Sequence, residues 1–482
     1  MARQPLGLDS QGVQKVMRVP NYLGDGAAQI GLNSITGLTG IIVYFYTDKV
    51  GIAAAAAGTI LFIAKITDIF TDLAMGWVMD RTHTRWGRAR PWLLWTAIPA
   101  FLSIVALFLV PAGASPGTKF GYGLGTTILA TGVVYSAMAV PYGSMLYYTT
   151  RSTEERSKMG IVRAIFGYLL GMIMVIGYIP ITNAMGGNQR AWILFGTAFA
   201  ILAALGLVIA FFANPERNAD TGQAAEEKTP FLTGIALLFR NRYWVIMLGV
   251  MLLANIVFSL SSSSGIYYVK WVLGNENLMA LLGAIGLIPV VVGFSIVGPM
   301  VKRLGLAKTV QISLLIGIAA TAVRVFFPYD FWALVAFGPL VTFATIPLMA
   351  VGGVLVNNTI AYGEWKFGKR IVGMTNAASG FGSKVGSGLG AAMIGWILAL
   401  GLYDGTAAQQ PGSAITSILA ITIWIPGIVL VGMFFLLRLY DLDAKYPQIL
   451  AELDQRHEAA GEAGAPAESV PQDGEPGTAP AA

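Results

Sequence analysis

The chain has 482 residues, 55% hydrophobic and only 12% charged, with a formal net charge of +6 and no Cys. Soluble domains carry about 25% charged residues, so this composition, with a mean hydropathy of +0.67, excludes a soluble globular fold and indicates an integral membrane protein. The missing thiols exclude disulfides and zinc–thiolate sites, and two His, His83 in a basic loop and His457 in a polar tail, argue against a His-based metal site.

The first segment (Met1–Pro20) is polar. It has no apolar stretch leading to a small-residue cleavage site, so no cleaved signal peptide is expected. Apolar stretches of helical length follow at 22–47, 53–79, 91–111, 119–149, 160–184, 191–213, 241–273, 278–301, 309–327, 331–361, 371–402 and 413–438. Each is near or above the ~20 residues needed to span a bilayer. The prediction is an all-α membrane protein with twelve transmembrane helices.

Alternate loops carry Arg81, Arg85, Arg88 and Arg90; Arg151, Arg156 and Lys158; Lys302, Arg303 and Lys308; and Lys366, Lys369 and Arg370. The opposite loops offer Lys49, Lys119 and Arg190. This asymmetry places both termini in the cytoplasm and the chain in the cytoplasmic (inner) membrane. The net charge therefore reads as loop topology, with no nucleic-acid partner, and the basic loops suit membrane-lipid phosphates.

The longest internal polar break, Asn214–Lys228, divides the chain six plus six, and Pro230–Trp244 suits a short interfacial helix. The expected units are an N-terminal half (1–213), a central cytoplasmic loop (214–240), a C-terminal half (241–439) and a cytoplasmic tail (440–482), disordered from Gly461. A repeat supports the division. Gly76-x-x-x-Asp80-Arg81, continuing to Gly87, follows helix two, and Gly298-x-x-x-Lys302-Arg303, continuing to Gly305, follows helix eight. Duplicated six-helix halves with substrate bound between them are a transporter pattern.

Charges inside spans are costly and mark function by default. Helix two holds Lys65, Asp68 and Asp72, and the two acids, four residues apart, share one face. Side by side they repel unless a cation or proton sits between them, which is what a Na⁺ or H⁺ coupling site requires. Thr71 adds a hydroxyl from a different flank. Helix eleven holds Lys384 amid Gly382, Gly386 and Gly390, a smooth stripe for close helix packing. Lys384 lies off that stripe, and its natural partners are Asp68 and Asp72. Arg163 in helix five suits either a site residue or a snorkelling helix-end cation. Asn255, Ser259 and Ser261–Ser264 in helix seven, Tyr135, Ser136, Tyr142 and Ser144 in helix four, and Thr375, Asn376 and Ser379 in helix eleven add groups suited to a polyhydroxylated solute.

The words VYFYTDKVG (43–51), KITDIFTDLAMGWVMDRTHTRWGRARPW (65–92), VPYGSM (140–145), EERSKMGIVR (154–163) and YGEWKFGKR (362–370) together resemble the glycoside–pentoside–hexuronide:cation symporter family. The resemblance runs from about Val19 to Leu439. It implies a major facilitator fold and sugar uptake coupled to Na⁺, Li⁺ or H⁺. No other cofactor is expected, and two His in loop and tail assemble no nucleophile–His–acid set, so no enzymatic activity is expected. Asp68 and Asp72 match the family's cation-site acids. Thr71 stands where a Na⁺-using member has Asn, and Ser136 where it has Thr. Lys384 matches the lysine between cation and sugar sites, and Arg163 an arginine near the sugar. The family's helix-four sugar-binding Asp is here Ala139, a stacking Trp is Gly143, and a helix-one Asp is Gln29. An anionic sugar, or a larger glycoside using the space at Gly143, would suit that set.

The expected cation ligands are therefore Asp68, Asp72, Thr71 and Ser136, and the expected substrate residues Gln29, Tyr142, Arg163, Asn255, Ser379 and Lys384. Lys384 and Lys65 would couple the two sites. Asp80, Arg81, Arg85, Arg88, Glu364 and Arg370 would serve conformational change. The partners are a small sugar or glycoside, a coupling cation and lipid, and the protein is expected to act as a monomer. Alternative readings are a lysolipid-type Na⁺-coupled transporter, which resembles the same family, and a non-transporting membrane sensor or enzyme.

Overall fold

The computed structural model describes residues 6–9, 13–217, 231–368 and 372–464. Among them the chain is helical, and its extended pairings are two isolated bridges, Leu8 with Gln14 and Thr84 with Gly87. Twelve helices are long and apolar enough to cross a membrane. They are α1 (Val19–Lys49), α2 (Ala54–Arg81), α3 (Arg90–Phe108), α4 (Pro116–Thr149), α5 (Glu154–Ala184) and α6 (Gln189–Ala213) in the first half. The second half holds α7 (Arg242–Trp271), α8 (Leu278–Leu304), α9 (Leu306–Phe326), α10 (Phe331–Phe367) and α11 (Val372–Leu400). It ends in α12, built from Gly412–Leu419, a π-helical turn Ala420–Trp424 and Ile425–Arg438.

Most helix ends fall close to the apolar limits. The largest difference is at α5, expected from 160. Its helix begins at Thr153, because Ser152 caps it by accepting the Glu155 N–H and two glutamates in the first turn favour the positive helix end. The interfacial segment is helical at Phe231–Arg240 and breaks at Asn241, whose side chain caps α7 through the Trp244 N–H. The tail differs from expectation: it forms a helix over Leu442–Gly464, so residues 461–464, expected to be disordered, are helical. Trp365 donates its indole N–H to Glu452, fixing that helix against the end of α10.

The repeat has an atomic counterpart. Gly87 (φ 110°) and Gly305 (φ 86°) hold the left-handed turn at the same place in each half, a conformation that favours Gly. An acid from beyond the sixth helix of each half caps the turn. Glu216 accepts the N–H groups of Arg88, Ala89 and Arg90 at 2.8, 2.7 and 2.6 Å. Asp443 accepts the Ala307 N–H at 2.6 Å. Arg90 Nε donates to Phe211 O, and Gln311 likewise donates to Leu437 O. Charge-assisted bonds of this kind contribute about 1.5–3 kcal/mol each, with losses that do not simply add. Glu216→Ala is therefore expected to cost roughly 2–3 kcal/mol and to lower the thermal midpoint of purified protein, whereas Glu216→Gln, which keeps one acceptor, loses less.

Lipid offers no hydrophobic drive between helices, so close packing of small residues holds them together. Gly382, Gly386 and Gly390 of α11 face Leu248, Leu252 and Ile256 of α7, as the spacing of the stripe suggests. A second stripe, Gly388 and Gly395, faces α2 of the other half. A Cβ on Gly388 would lie 3.0 Å from that of Lys65, and one on Gly58 would lie 3.0 Å from the Gly395 Cα. Lys384 sits one turn before Gly388 on this second stripe, which aims it at α2.

Candidate cation and substrate site

Helix spacing places Asp68 and Asp72 on one face of α2, and Lys384 meets them from α11. Its ammonium contacts Asp72 directly and lies 3.5 Å from Asp68 Oδ2, and it also donates to the Asp68 carbonyl at 3.3 Å. Lys65 stands 3.6 Å from the same Asp68 oxygen. Two carboxylates thus face two ammoniums, and the cluster has no net formal charge. Asp68 is 2% exposed, whereas Asp72 and Lys384 are 31% and 26% exposed, so the cluster is sealed on one side and open on the other.

The fourth helix completes the oxygen set. A π-helical turn, Ile128–Val134, precedes Tyr135, and Gly132 within it lets α4 lie against Thr71 and the Asp68 backbone. Ser136 Oγ reaches both acids, in direct contact with Asp72 and 3.3 Å from Asp68 Oδ1. Thr71 Oγ1 lies 3.1 Å from Ser136 Oγ, so it joins the cluster despite its different flank. One serine proton serves two carboxylates, which leaves lone pairs for a hard cation. Carboxylate and hydroxyl oxygens at this density suit Na⁺, and the paired acids also suit a proton.

The other expected site residues lie apart from this cluster. Arg163 is buried in an ion pair with Asp25 and stacks 3.6 Å over the Tyr142 ring. The Tyr142 hydroxyl donates to the Asp25 carbonyl at 2.9 Å. Gln29 Oε1 accepts from Asn33 at 2.9 Å. Asn255 donates to Met251 O and accepts from Ser387 of α11 at 3.2 Å, a helix–helix contact. Ser379 bonds within its own helix, to Thr375 O. Ala139 packs beside the core. Gly143 is exposed, and a Cβ there would meet nothing within 4 Å.

Among the residues expected to serve conformational change, Asp80 and Arg81 are exposed at the end of α2, with Arg81 over the Trp77 ring at 3.5 Å. Arg85 lies over Trp86, and Arg88 gives its backbone N–H to Glu216. The Glu364 carbonyl accepts the Gly368 N–H where α10 ends. Arg370 lies outside the described residues.

A second inter-half cluster, absent from the sequence reading, lies at the end of the bundle opposite the termini. The Lys270 ammonium of α7 is 2.6 Å from Asp48 of α1, and Tyr403 donates to the same carboxylate at 2.8 Å. Thr47 lies 3.0 Å from the Tyr267 hydroxyl, Tyr44 donates to Glu276 at 2.6 Å, and Asn183 donates to Asn277 at 3.2 Å. The π-helical turn Phe45–Lys49 sets Asp48 at this contact. Asp48 and Lys270 stand at helix ends, where charge reads as solvated, so only the tertiary pairing reveals the cluster.

The model of the family described as MFS/sugar transport protein matches residues 24–444. The chain belongs to this family. It is 31% identical over 458 residues to an uncharacterized symporter, YnaJ, of Bacillus subtilis, covering 93% of this chain and 97% of that one. It is 30% identical to the isoprimeverose transporter of Lactiplantibacillus pentosus (86% and 87% covered) and 29% identical to a glucuronide carrier protein homolog of Escherichia coli (86% and 91%). Among solved structures, the nucleoside transporter NupG superposes with a TM-score of 0.62 at 14% identity, covering 87% of this chain and 99% of that one. That likeness shows the major facilitator fold, twelve helices in two halves.

Proposed function

We propose that this member of the MFS/sugar transport family is a secondary active transporter that moves a sugar or glycoside together with Na⁺ or H⁺. The observation that carries this reading is the meeting of Asp68 and Asp72 with Lys384 across the interface between halves. An acid pair shared between two bodies links cation occupancy to the position of those bodies. The symporter, isoprimeverose-transporter and glucuronide-carrier names of the relatives support the solute class and the coupled mode. The units are the halves 1–213 and 241–439, joined by a cytoplasmic loop, with both termini cytoplasmic in the inner membrane.

In this reading the structure is a state closed at the extracytoplasmic end, where Asp48–Lys270 and Asn183–Asn277 join the halves, with the cation cluster open on its other side. Rocking must break the Asn183–Asn277 contact in every cycle. Because the chain has no native Cys, the variant Asn183→Cys/Asn277→Cys tests this directly. Oxidation is expected to stop sugar uptake into proteoliposomes and reduction to restore it. Undiminished uptake by the fully cross-linked protein would count against rocking at this contact.

The function itself is tested by uptake of labelled pentosides and hexosides into proteoliposomes under an imposed Na⁺ or pH gradient. Accumulation driven by one of these gradients is expected. Failure of every sugar tested to accumulate under either gradient would overturn the assignment.

A further inference from the structure

The Asp25–Arg163 pair has a geometry that bears on substrate charge. Both Asp25 oxygens are used by the guanidinium: Arg163 Nε donates to Oδ2 at 2.6 Å and Nη2 to Oδ1 at 2.8 Å. Nη1 donates to the Tyr142 carbonyl at 2.9 Å, and Asn214 donates to Asp25 Oδ1 at 2.8 Å. The two charged side chains are 0% and 9% exposed. Three directions of the Arg163 fork are thus committed inside the first half, and a planar bidentate pair of this kind is strong and directional.

Beyond the pair, the same two helix faces continue without charge. Residues 25, 29 and 33 follow one another at four-residue spacing on α1, and 163, 167 and 171 do so on α5. Gln29 and Asn33, both half-buried, lie 3.6 and 3.5 Å from the position a Cβ would take on Gly167. At Gly171 a Cβ would meet nothing within 4 Å. The two amides beside Gly167 and the open space at Gly171 make a slot that offers donors, acceptors and room, but no net charge. Lys384, the other candidate anion anchor, lies at the α2 acid pair and not beside these residues of α1 and α5.

We propose that Asp25 is a positioning residue that sets the substrate's charge: it withholds Arg163 from anions, so the slot at Gln29, Asn33, Gly167 and Gly171 takes the hydroxyl face of a neutral glycoside. This departs from the anionic sugar that two free cations would have suited. It rests on the transport reading above.

The test measures binding of p-nitrophenyl α- and β-pentosides and hexosides, and of the matched hexuronides, by thermal stabilisation of purified protein and by competition for uptake. In the parent the best ligand is neutral, and its matched uronide binds at least tenfold more weakly. In Asp25→Asn the guanidinium is released, and the uronide-to-neutral ratio rises by about tenfold, the worth of one charge-assisted hydrogen bond. Asp25→Asn/Arg163→Gln returns the ratio to the parent value. A structural role alone would lower all affinities together and leave the ratio unmoved. A parent that prefers uronides, or a folded Asp25→Asn with an unchanged ratio, overturns the proposal. Should Asp25→Asn fail to fold, the parent panel and the double variant decide it: a parent preference for uronides, or a double variant whose ratio departs from the parent's, counts against it. Absence of binding and uptake for every sugar of either charge overturns it together with the transport reading, a result distinct from a uronide preference.

Discussion

Asp68→Asn is expected to abolish coupled accumulation of substrate with any cation, whereas Asp72→Asn weakens Na⁺ dependence and leaves residual coupling. The two acids differ in setting. Asp68 is 2% exposed and is approached by Lys65, Lys384 and Ser136, whereas Asp72 is 31% exposed and is approached by Lys384 and Ser136. Removing the sealed charge takes away the carboxylate that lies within 4 Å of both ammoniums, and the Lys65 charge left without it repels an arriving cation. Removing the open charge costs one set of ligand oxygens but leaves the inner acid in place. Gradient-driven uptake in proteoliposomes separates the two variants, and equal loss in both would contradict this division of labour.

Lys384→Ala should leave the protein folded but remove the dependence of substrate affinity on the cation. Its side chain lies on the stripe facing α2, off the Gly382–Gly386–Gly390 contact with α7, so the packing within the second half is untouched. In the ion-free carrier the ammonium neutralises part of the acid pair across the interface. A bound Na⁺ or proton takes over that task and frees the ammonium for a substrate hydroxyl, so each ligand favours the other through one shared residue. Coupling of this kind is typically 1–3 kcal/mol. The parent's substrate affinity should therefore rise about five- to 150-fold with saturating cation, and that of Lys384→Ala should not change. The measurement is calorimetric titration of substrate at low and high Na⁺, repeated at two pH values. A preserved cation effect in the variant would reduce Lys384 to an interfacial residue.

Much of this arrangement was legible before any coordinates, because the signals are local or energetic. Twelve apolar lengths and the alternation of basic loops depend on the chain alone. Asp68 and Asp72 share a face by helical spacing, and Lys384 needed acidic partners because an unpaired ammonium inside a span is expensive. What escaped was pairing that depends on tertiary neighbours. Arg163 was visible as a cation, but its partner Asp25 stands three residues into the expected first helix, where an acid reads as a solvated end. Thr71 points off the Asp68–Asp72 flank and joins the cluster only because Ser136, on another helix, lies between. Asp48, Lys270 and Tyr403 come from segments more than 100 residues apart, and Asp48 meets the other two across the interface between the halves.

The central claim, that the acid pair on α2 couples a cation gradient to sugar movement, is tested most directly in proteoliposomes holding either the parent or Asp68→Asn/Asp72→Asn. A labelled neutral glycoside identified by the stabilisation screen is presented under an inward Na⁺ gradient and, separately, an inward pH gradient. The parent should accumulate the sugar above its external concentration under at least one gradient, and collapse of that gradient should release the excess. The double variant should carry sugar at most to equal concentrations under both. Accumulation by the double variant matching the parent's would contradict the account.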